Sequence, residues 1–317
     1  MSFAAKFVIA LSCALALMAA YTTAATWNIE RSHPPIGEFV TVDGVRLHYF
    51  AAGDGPPLVL LHGASASLRD FNASILPDLV RTFRVIAFDR PGYGYSDRPA
   101  GVWPDPAMQA DLIHQALDAL GVEQPVLVGH SWSGSVVLAY LLDHPDQASG
   151  GVLLAGAVNP WKGGVSWFVD LTGWPVIGRL FTTTLAFPMG QLFLNSAIEK
   201  VFAPESPPTE YRTRTSAVLA LRPDAFHASA EDVRGLSGFL ERQSPLYDQI
   251  ESPLLLITGE RDTIVPAWNH AEKLAARLPH ARHVELAGAG HALHHTHAKD
   301  VVRLIEDFTS AFRRTPE

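Results

Sequence analysis

The run Val126-Leu127-Val128-Gly129-His130-Ser131-Trp132-Ser133-Gly134 constrains the fold of this chain more than any other stretch. An apolar, β-branched run ends in Gly-x-Ser-x-small, and a helix-compatible segment follows at once. A strand that turns directly into a helix around a serine crowds its own backbone, so the positions two before and two after the serine must be small. Gly129 and Ser133 meet that condition, with Ser133 standing where a glycine is usual. Ser133 and Ser135 also have small neighbours. The apolar run stops at Val128, however, which sets the turn at Ser131 and leaves Ser133 already helical.

A serine hydroxyl is a poor nucleophile until a base removes its proton, and a neutral imidazole does this near pH 7. Two later segments supply partners. The strand-like run Leu254-Leu255-Leu256-Ile257 opens into a polar loop that contains Asp262, and Val284-Glu285-Leu286 leads through Gly288-Ala289-Gly290 to His291. A buried carboxylate fixes the imidazole tautomer and stabilises the imidazolium that forms. Glu260 competes with Asp262, and His294, His295 and His297 compete with His291. Four close histidines invite a metal, but no carboxylate or cysteine stands beside them at ligand spacing, so none is expected. His130 is read as a supporting neighbour of the serine.

With these segments in view, the chain from about Gly37 to Phe312 resembles an α/β-hydrolase of the single-domain, capped type. The order Ser131, Asp262, His291 is that of this family, and the resemblance puts the acid three residues past Gly259. Leu58-Val59-Leu60-Leu61-His62-Gly63-Ala64-Ser65 resembles the family's His-Gly turn after its third strand. Asp89-Arg90-Pro91-Gly92-Tyr93-Gly94-Tyr95-Ser96 resembles the loop after its fourth, with Asp89 as a loop-shaping residue. The resemblance implies a mostly parallel sheet with helices on both faces and an inserted helical cap. It also implies an oxyanion hole built from the backbone N–H groups of Ala64 and Trp132. The activity it implies is that of a serine hydrolase acting on a carboxylic ester with an apolar acyl or alcohol part, without a cofactor.

Ser131 separates the chain from the epoxide hydrolases and haloalkane dehalogenases of this fold, which use an aspartate at that turn. Carbon–carbon bond hydrolases keep the serine but usually carry Gly-Pro-Gly after the His-Gly turn, where this chain has Ala64-Ser65-Ala66-Ser67. Amide, lactone or carbon–carbon bond hydrolysis on the same triad is the alternative activity. From another class, a non-catalytic small-molecule receptor shares the fold.

A chain of 317 residues, 48% apolar, can bury one large α/β core. Its formal charge is −8, with no basic stripe to track phosphates, which excludes nucleic acid as a partner. Cys13 is the single cysteine, so no intramolecular disulfide forms. Oligomeric state is left open.

Residues 1–26 differ in kind from the rest. Phe7 to Ala25 carries no charge and, as a helix, nearly crosses a hydrocarbon core of roughly 30 Å. Tyr21 and Trp27 suit the interface, and Lys6 on the N-terminal side places the body outside the cytoplasm. The reading is an N-terminal membrane anchor, with a cleaved signal peptide, giving a secreted or periplasmic protein, as the alternative. Because the run is apolar all round, packing against the body is not expected.

Asp43-Gly44 between two β-like runs signals a hairpin. Strands are expected near Leu58, Val85, Val126, Val152, Leu254 and Val284. Asp105 and Pro106 open a helix that Gly121 ends, and Val301, Leu304, Ile305, Phe308 and Phe312 line a last one. The expected organisation is core over 37–158, helical cap over 159–251 and core again over 252–317. The cap region holds Trp161, Trp167, Phe168, Trp174, Phe181, Phe187 and Phe193, a composition that favours an apolar substrate if those side chains line the pocket.

Overall fold

The strands form as the apolar runs predict, and they assemble into one eight-stranded sheet ordered β1-β2-β4-β3-β5-β6-β7-β8. The structure is a computed structural model that describes residues 2–312. A long helix α1 (Phe3–Ser32) precedes the hairpin β1 (Glu38–Val42) and β2 (Val45–Ala52). Asp43 and Gly44 both take positive φ, 49° and 74°, the backbone of a tight turn whose twist matches the paired strands. Next come β3 (Pro57–Leu61), α2 (Arg69–Asn72), α3 (Leu76–Leu79), β4 (Arg84–Phe88) and α4 (Pro106–Ala119). The core's first part ends with β5 (Val126–His130), α5 (Gly134–Asp143) and β6 (Gly150–Leu154).

Between β6 and the next strand the chain is helical: α6 (Trp167–Thr172), α7 (Pro175–Phe181), α8 (Phe187–Phe202), α9 (Tyr211–Arg214) and α10 (Pro223–Gln243). It then returns to the sheet with β7 (Leu254–Gly259), α11 (Ala271–Arg277), β8 (Ala281–Leu286), α12 (Leu293–Thr296) and α13 (Ala298–Phe312). From β4 to β8 all pairings are parallel, whereas β2 meets β1 and β4 antiparallel.

Alternation along the strands divides the interior in two. Leu127, Leu153 and Leu256 face one side, with α4, α5 and the end of α10. Val126, Val128, Val152, Leu154, Leu255 and Ile257 face the other, with α2, α3 and α13. Both faces are covered, as parallel sheets require. The Asp105 carboxylate accepts from Met108 N at 3.0 Å and starts α4, with Pro106 in its first turn. Gly121, at φ 61°, follows its end. In α13 the side chains of Val301, Leu304, Ile305 and Phe308 are buried, and that of Phe312 lies outside the described residues.

The N-terminal helix departs from expectation. It runs on to Ser32, and its second half packs on the helical insertion. Leu15, Met18, Ala19, Thr22, Ala25, Thr26 and Ile29 form the partly or fully buried stripe, at the spacing of one helix face. Ile29 joins Phe187, Leu219 and Leu221 in a small cluster, Tyr21 meets the Phe187 ring edge-on, and Arg222 pairs with Glu30 at 3.0 Å. An apolar run uniform in composition can still bury one face where a partner surface is offered.

Candidate active site

Ser131, Asp262 and His291 follow the carboxyl ends of β5, β7 and β8, at the sheet edge where parallel α/β folds collect ligands. Ser131 takes φ 54°, a left-handed backbone that a non-glycine residue adopts only when its surroundings enforce it. A Cβ on Gly129 would lie 2.4 Å from the Ser133 carbonyl oxygen, and one on Gly134 would lie 2.7 Å from the Gly156 Cα. The small residues around the turn are therefore a steric requirement. The Ala157 amide, donating to the Ser131 carbonyl at 2.9 Å, fastens the turn to the loop after β6.

The three side chains form one hydrogen-bonded line. Ser131 Oγ lies 2.9 Å from His291 Nε2, and His291 Nδ1 donates to Asp262 Oδ2 at 2.7 Å. The other Asp262 oxygen accepts from the Ile264 and Val265 amides at 2.8 and 2.9 Å. Glu260 is used elsewhere, accepting from the Gly288 amide at 2.7 Å. The rival serines are also occupied: Ser133 donates to the His62 carbonyl and Ser135 to the Trp132 carbonyl. A Cβ on Gly63 would lie 3.2 Å from the Ser131 Cβ, so the His-Gly turn lies against the serine at Gly63. Asp89 shapes its loop, accepting from the Leu68 and Tyr95 amides and from His48.

Two networks behind the site have no sequence-local signature. In the first, Arg90 is fully buried beneath the His-Gly turn. It donates to the His62 and Gly63 carbonyls and to Asp232, and stacks 4.2 Å from the Trp132 ring. Asp232, on α10, also accepts from Tyr93, Arg98 and Trp103, and its carbonyl takes the Trp132 indole N–H. One buried residue of the insertion thus holds Trp132 through its backbone carbonyl and the His-Gly turn through its carboxylate on Arg90. Burial and the Arg90 charge push the His62 pKa down to about 4, so this imidazole is neutral and its Nε2 accepts the Arg90 amide.

The second network corrects the expectation that the histidines after His291 lack a carboxylate. Asp70, on α2, accepts from His294 Nε2 and His295 Nε2, both at 2.8 Å, and from the Tyr211 hydroxyl at 3.2 Å. Burial opposes ionisation of Asp70, but the adjoining His295 and His294 charges outweigh it and hold the carboxyl well below its usual range. One donor atom from each of Asp70, His294 and His295 lies within 4.8 Å of the others, close enough to ligate a cation. Each imidazole, however, already has its own carboxylate oxygen as a hydrogen-bond partner. The geometry is that of a salt cluster centred on Asp70 that ties α2, α9 and α12 together. His297 is separate and pairs with Glu205 at 3.2 Å. His130 lies between the two groups. Its ring is 4.3 Å from that of His294, and it donates to the His291 carbonyl at 3.3 Å. Burial, and then the charges of His294 and His291, keep it neutral.

The aromatics of the insertion divide. Phe181 and Phe187 are buried in packing, whereas Trp167, Trp174 and Phe193 face solvent. The exposed three cannot line an enclosed pocket, which removes them from the expected apolar lining.

The α/β-hydrolase fold family profile matches residues 56–298, and the chain belongs to that family. It is a hydrolase of that fold. It is 27% identical to a 2-hydroxymuconate semialdehyde hydrolase of Pseudomonas putida over 89% of this chain and 96% of that one. A second protein of that name, from Pseudomonas sp. strain CF600, is 34% identical over 41% of this chain, a match spanning only 47% of the relative's length. In fold the chain is similar to a membrane phospholipase A described as a bacterial virulence factor. The TM-score is 0.68, identity is 23%, and 99% of both chains is covered.

Proposed function

We propose that the chain is a serine hydrolase of carboxylic esters with an apolar acyl or alcohol part, held to a membrane by α1. The observation that carries this reading is the unbroken line Ser131–His291–Asp262, with Ser131 on a strained turn and each rival residue bonded elsewhere. In this mechanism His291 takes the Ser131 proton as Oγ attacks the ester carbonyl. The oxyanion forms against the amides of Ala64 and Trp132, whose positions Arg90 and Asp232 stiffen. His291 then protonates the leaving alcohol and activates water to release the acyl group.

The helical insertion, residues 159–251, acts as a cap, joined to the oxyanion side by Asp232. The uncharged stretch of α1 and Lys6 at its start support an anchor with the body outside the cytoplasm. Likeness in fold to a membrane phospholipase A, along α1 as well as the body, agrees with an ester of apolar acyl chains.

A second reading comes from the Pseudomonas relatives, whose named substrate contains no ester. The semialdehyde would then be cleaved at a carbon–carbon bond by the same triad. The test is a panel of esters graded in acyl length, run beside 2-hydroxymuconate semialdehyde, with the Ser131→Ala variant as the control. Turnover of esters that vanishes in the variant supports the first reading; turnover of the semialdehyde alone supports the second.

A further inference from the structure

We propose that the outer apolar face of the cap, on α7 and α8, rests in the boundary between headgroups and acyl chains of the leaflet from which α1 emerges. The proposal stands on the reading of α1 as a retained anchor, and its geometry follows from where α1 begins to touch the body.

At 1.5 Å per residue, the part of α1 before Leu15 measures only about 18 Å. A hydrocarbon core of roughly 30 Å needs about 20 residues, which carries the span from Phe7, just past Lys6, to the level of Thr26, and further if the helix tilts. Yet the partly buried stripe of α1 starts at Leu15, and Thr22 is fully buried with its hydroxyl toward the Thr184 carbonyl. The helix cannot cross the bilayer and clear the cap as well. About three turns of the span run alongside cap segment Thr182–Ala186, which is therefore level with the leaflet.

The surface flanking that segment has the composition such a position requires. Thr182–Ala186 joins α7 to α8, and the two helices expose Val176 at 80%, Ile177, Leu180, Leu192 at 78% and Phe193. Trp174 just before α7 and Trp167 on α6 are also exposed, and tryptophan favours the headgroup level. From Leu180 to Ile198 there is no charged residue. Soluble monomers rarely leave so continuous an apolar surface in water. Tyr21 and Trp27 bracket the same level on α1. Bilayer lipid is thus the occupant, and the substrate it offers at the cap is an amphiphile already in the membrane.

The test uses the full chain in a Cys13→Ser background with one cysteine at a time, Val176→Cys, Leu192→Cys or Asp146→Cys. Each is labelled with an environment-sensitive fluorophore and reconstituted in phosphatidylcholine–phosphatidylglycerol vesicles. Asp146, exposed between α5 and β6 at the opposite edge of the sheet, is the reference. Lipids with a nitroxide near the headgroup end of the acyl chain should quench Val176→Cys and Leu192→Cys several-fold more than Asp146→Cys. Equal quenching at all three sites, with the protein still floating with the vesicles, overturns the cap docking and spares the anchor. Protein that fails to float overturns the anchor reading and the docking with it. In a second arm, Val176→Ser/Leu192→Ser should lower hydrolysis of a vesicle-embedded ester several-fold and leave a short soluble ester within twofold. Parallel loss on both substrates contradicts the docking.

Discussion

At the carboxyl edge of the sheet Ser131, His291, Asp262 and Arg90 are held in place by hydrogen bonds, whereas the outer face of the insertion turns large apolar side chains to solvent. Asp262 accepts three hydrogen bonds, and Arg90 reaches two carbonyls and two side chains within one buried network. On α7, by contrast, Gly178 and Phe181 are the buried residues, and Trp174 just before it is 58% exposed. The first region is organised for position: charge is buried only where it is fully bonded, because an unpaired buried charge costs several kcal/mol. The second is organised for contact, with its apolar area turned outward. Substitutions should therefore act through chemistry and stability at the first region and through surroundings at the second.

The largest effect expected is on turnover. Asp262→Asn should lower kcat by about 10⁴ without unfolding the protein, because the imidazole takes the wrong tautomer. Ser131→Ala and His291→Ala should each cost about as much as the double variant, since the groups act as a unit. Steady-state kinetics on a short ester reads both. Additive losses would show that the line of three does not work together.

Next comes Asp232→Ala, which strands the buried Arg90 guanidinium and should lower stability by about 3–5 kcal/mol, read as the urea midpoint. The milder Asp232→Asn should keep the fold and the Trp132 bond to its backbone carbonyl, and lower kcat more than it raises KM, because Arg90, which holds the His-Gly turn, loses its charged partner. A change in KM alone would assign Asp232 to substrate binding.

Acid should weaken the site before it weakens the insertion's surface. His62 and His270 are buried with pKa values lowered from 6.5 to about 4. The unfolded chain thus binds more protons than the native one between these values. Their contribution is complete above pH 6.5 and is lost as pH falls toward 4, on the order of 3 kcal/mol for each. Asp70, held low, adds a loss in the same direction below the usual carboxylate pKa. Urea titrations from pH 7.5 to 4.5 should show a falling midpoint that is shallower in His270→Asn. A flat profile would mean that these imidazoles are accessible to protons in the native state.

The smallest effect belongs to the outer face. Trp174→Ala should change stability in detergent by no more than about 0.5 kcal/mol, whereas Phe187→Ala, fully buried, should cost about 3–5 kcal/mol. A large loss at Trp174 would mean that the face packs on something in solution.

The same division governs what the sequence discloses. The turn at Ser131, the hairpin at Asp43-Gly44 and the cap of α4 at Asp105 are legible because their causes are local: a steric limit, two positive φ values, one carboxylate on one amide. Asp262 and His291 are legible as loop residues past apolar strands. Asp70 and Asp232 are not, since their partners stand 224 and 142 residues away and only the folded chain brings them together. The aromatics between Trp161 and Phe193 are visible as composition, but whether each faces inward depends on helix packing that no short window encodes. Likewise α1 reads as a uniform apolar helix, and its packing stripe exists only because the insertion supplies a surface.

The central claim, that Ser131 is the nucleophile, is tested most directly by mapping a covalent adduct. The full chain is treated with a fluorophosphonate at neutral pH, digested, and sequenced by mass spectrometry. The predicted result is one adduct, on Ser131, absent from Ser131→Ala and His291→Ala and retained in Ser133→Ala. An adduct on Ser133 or on another serine, or labelling that survives Ser131→Ala, would contradict it.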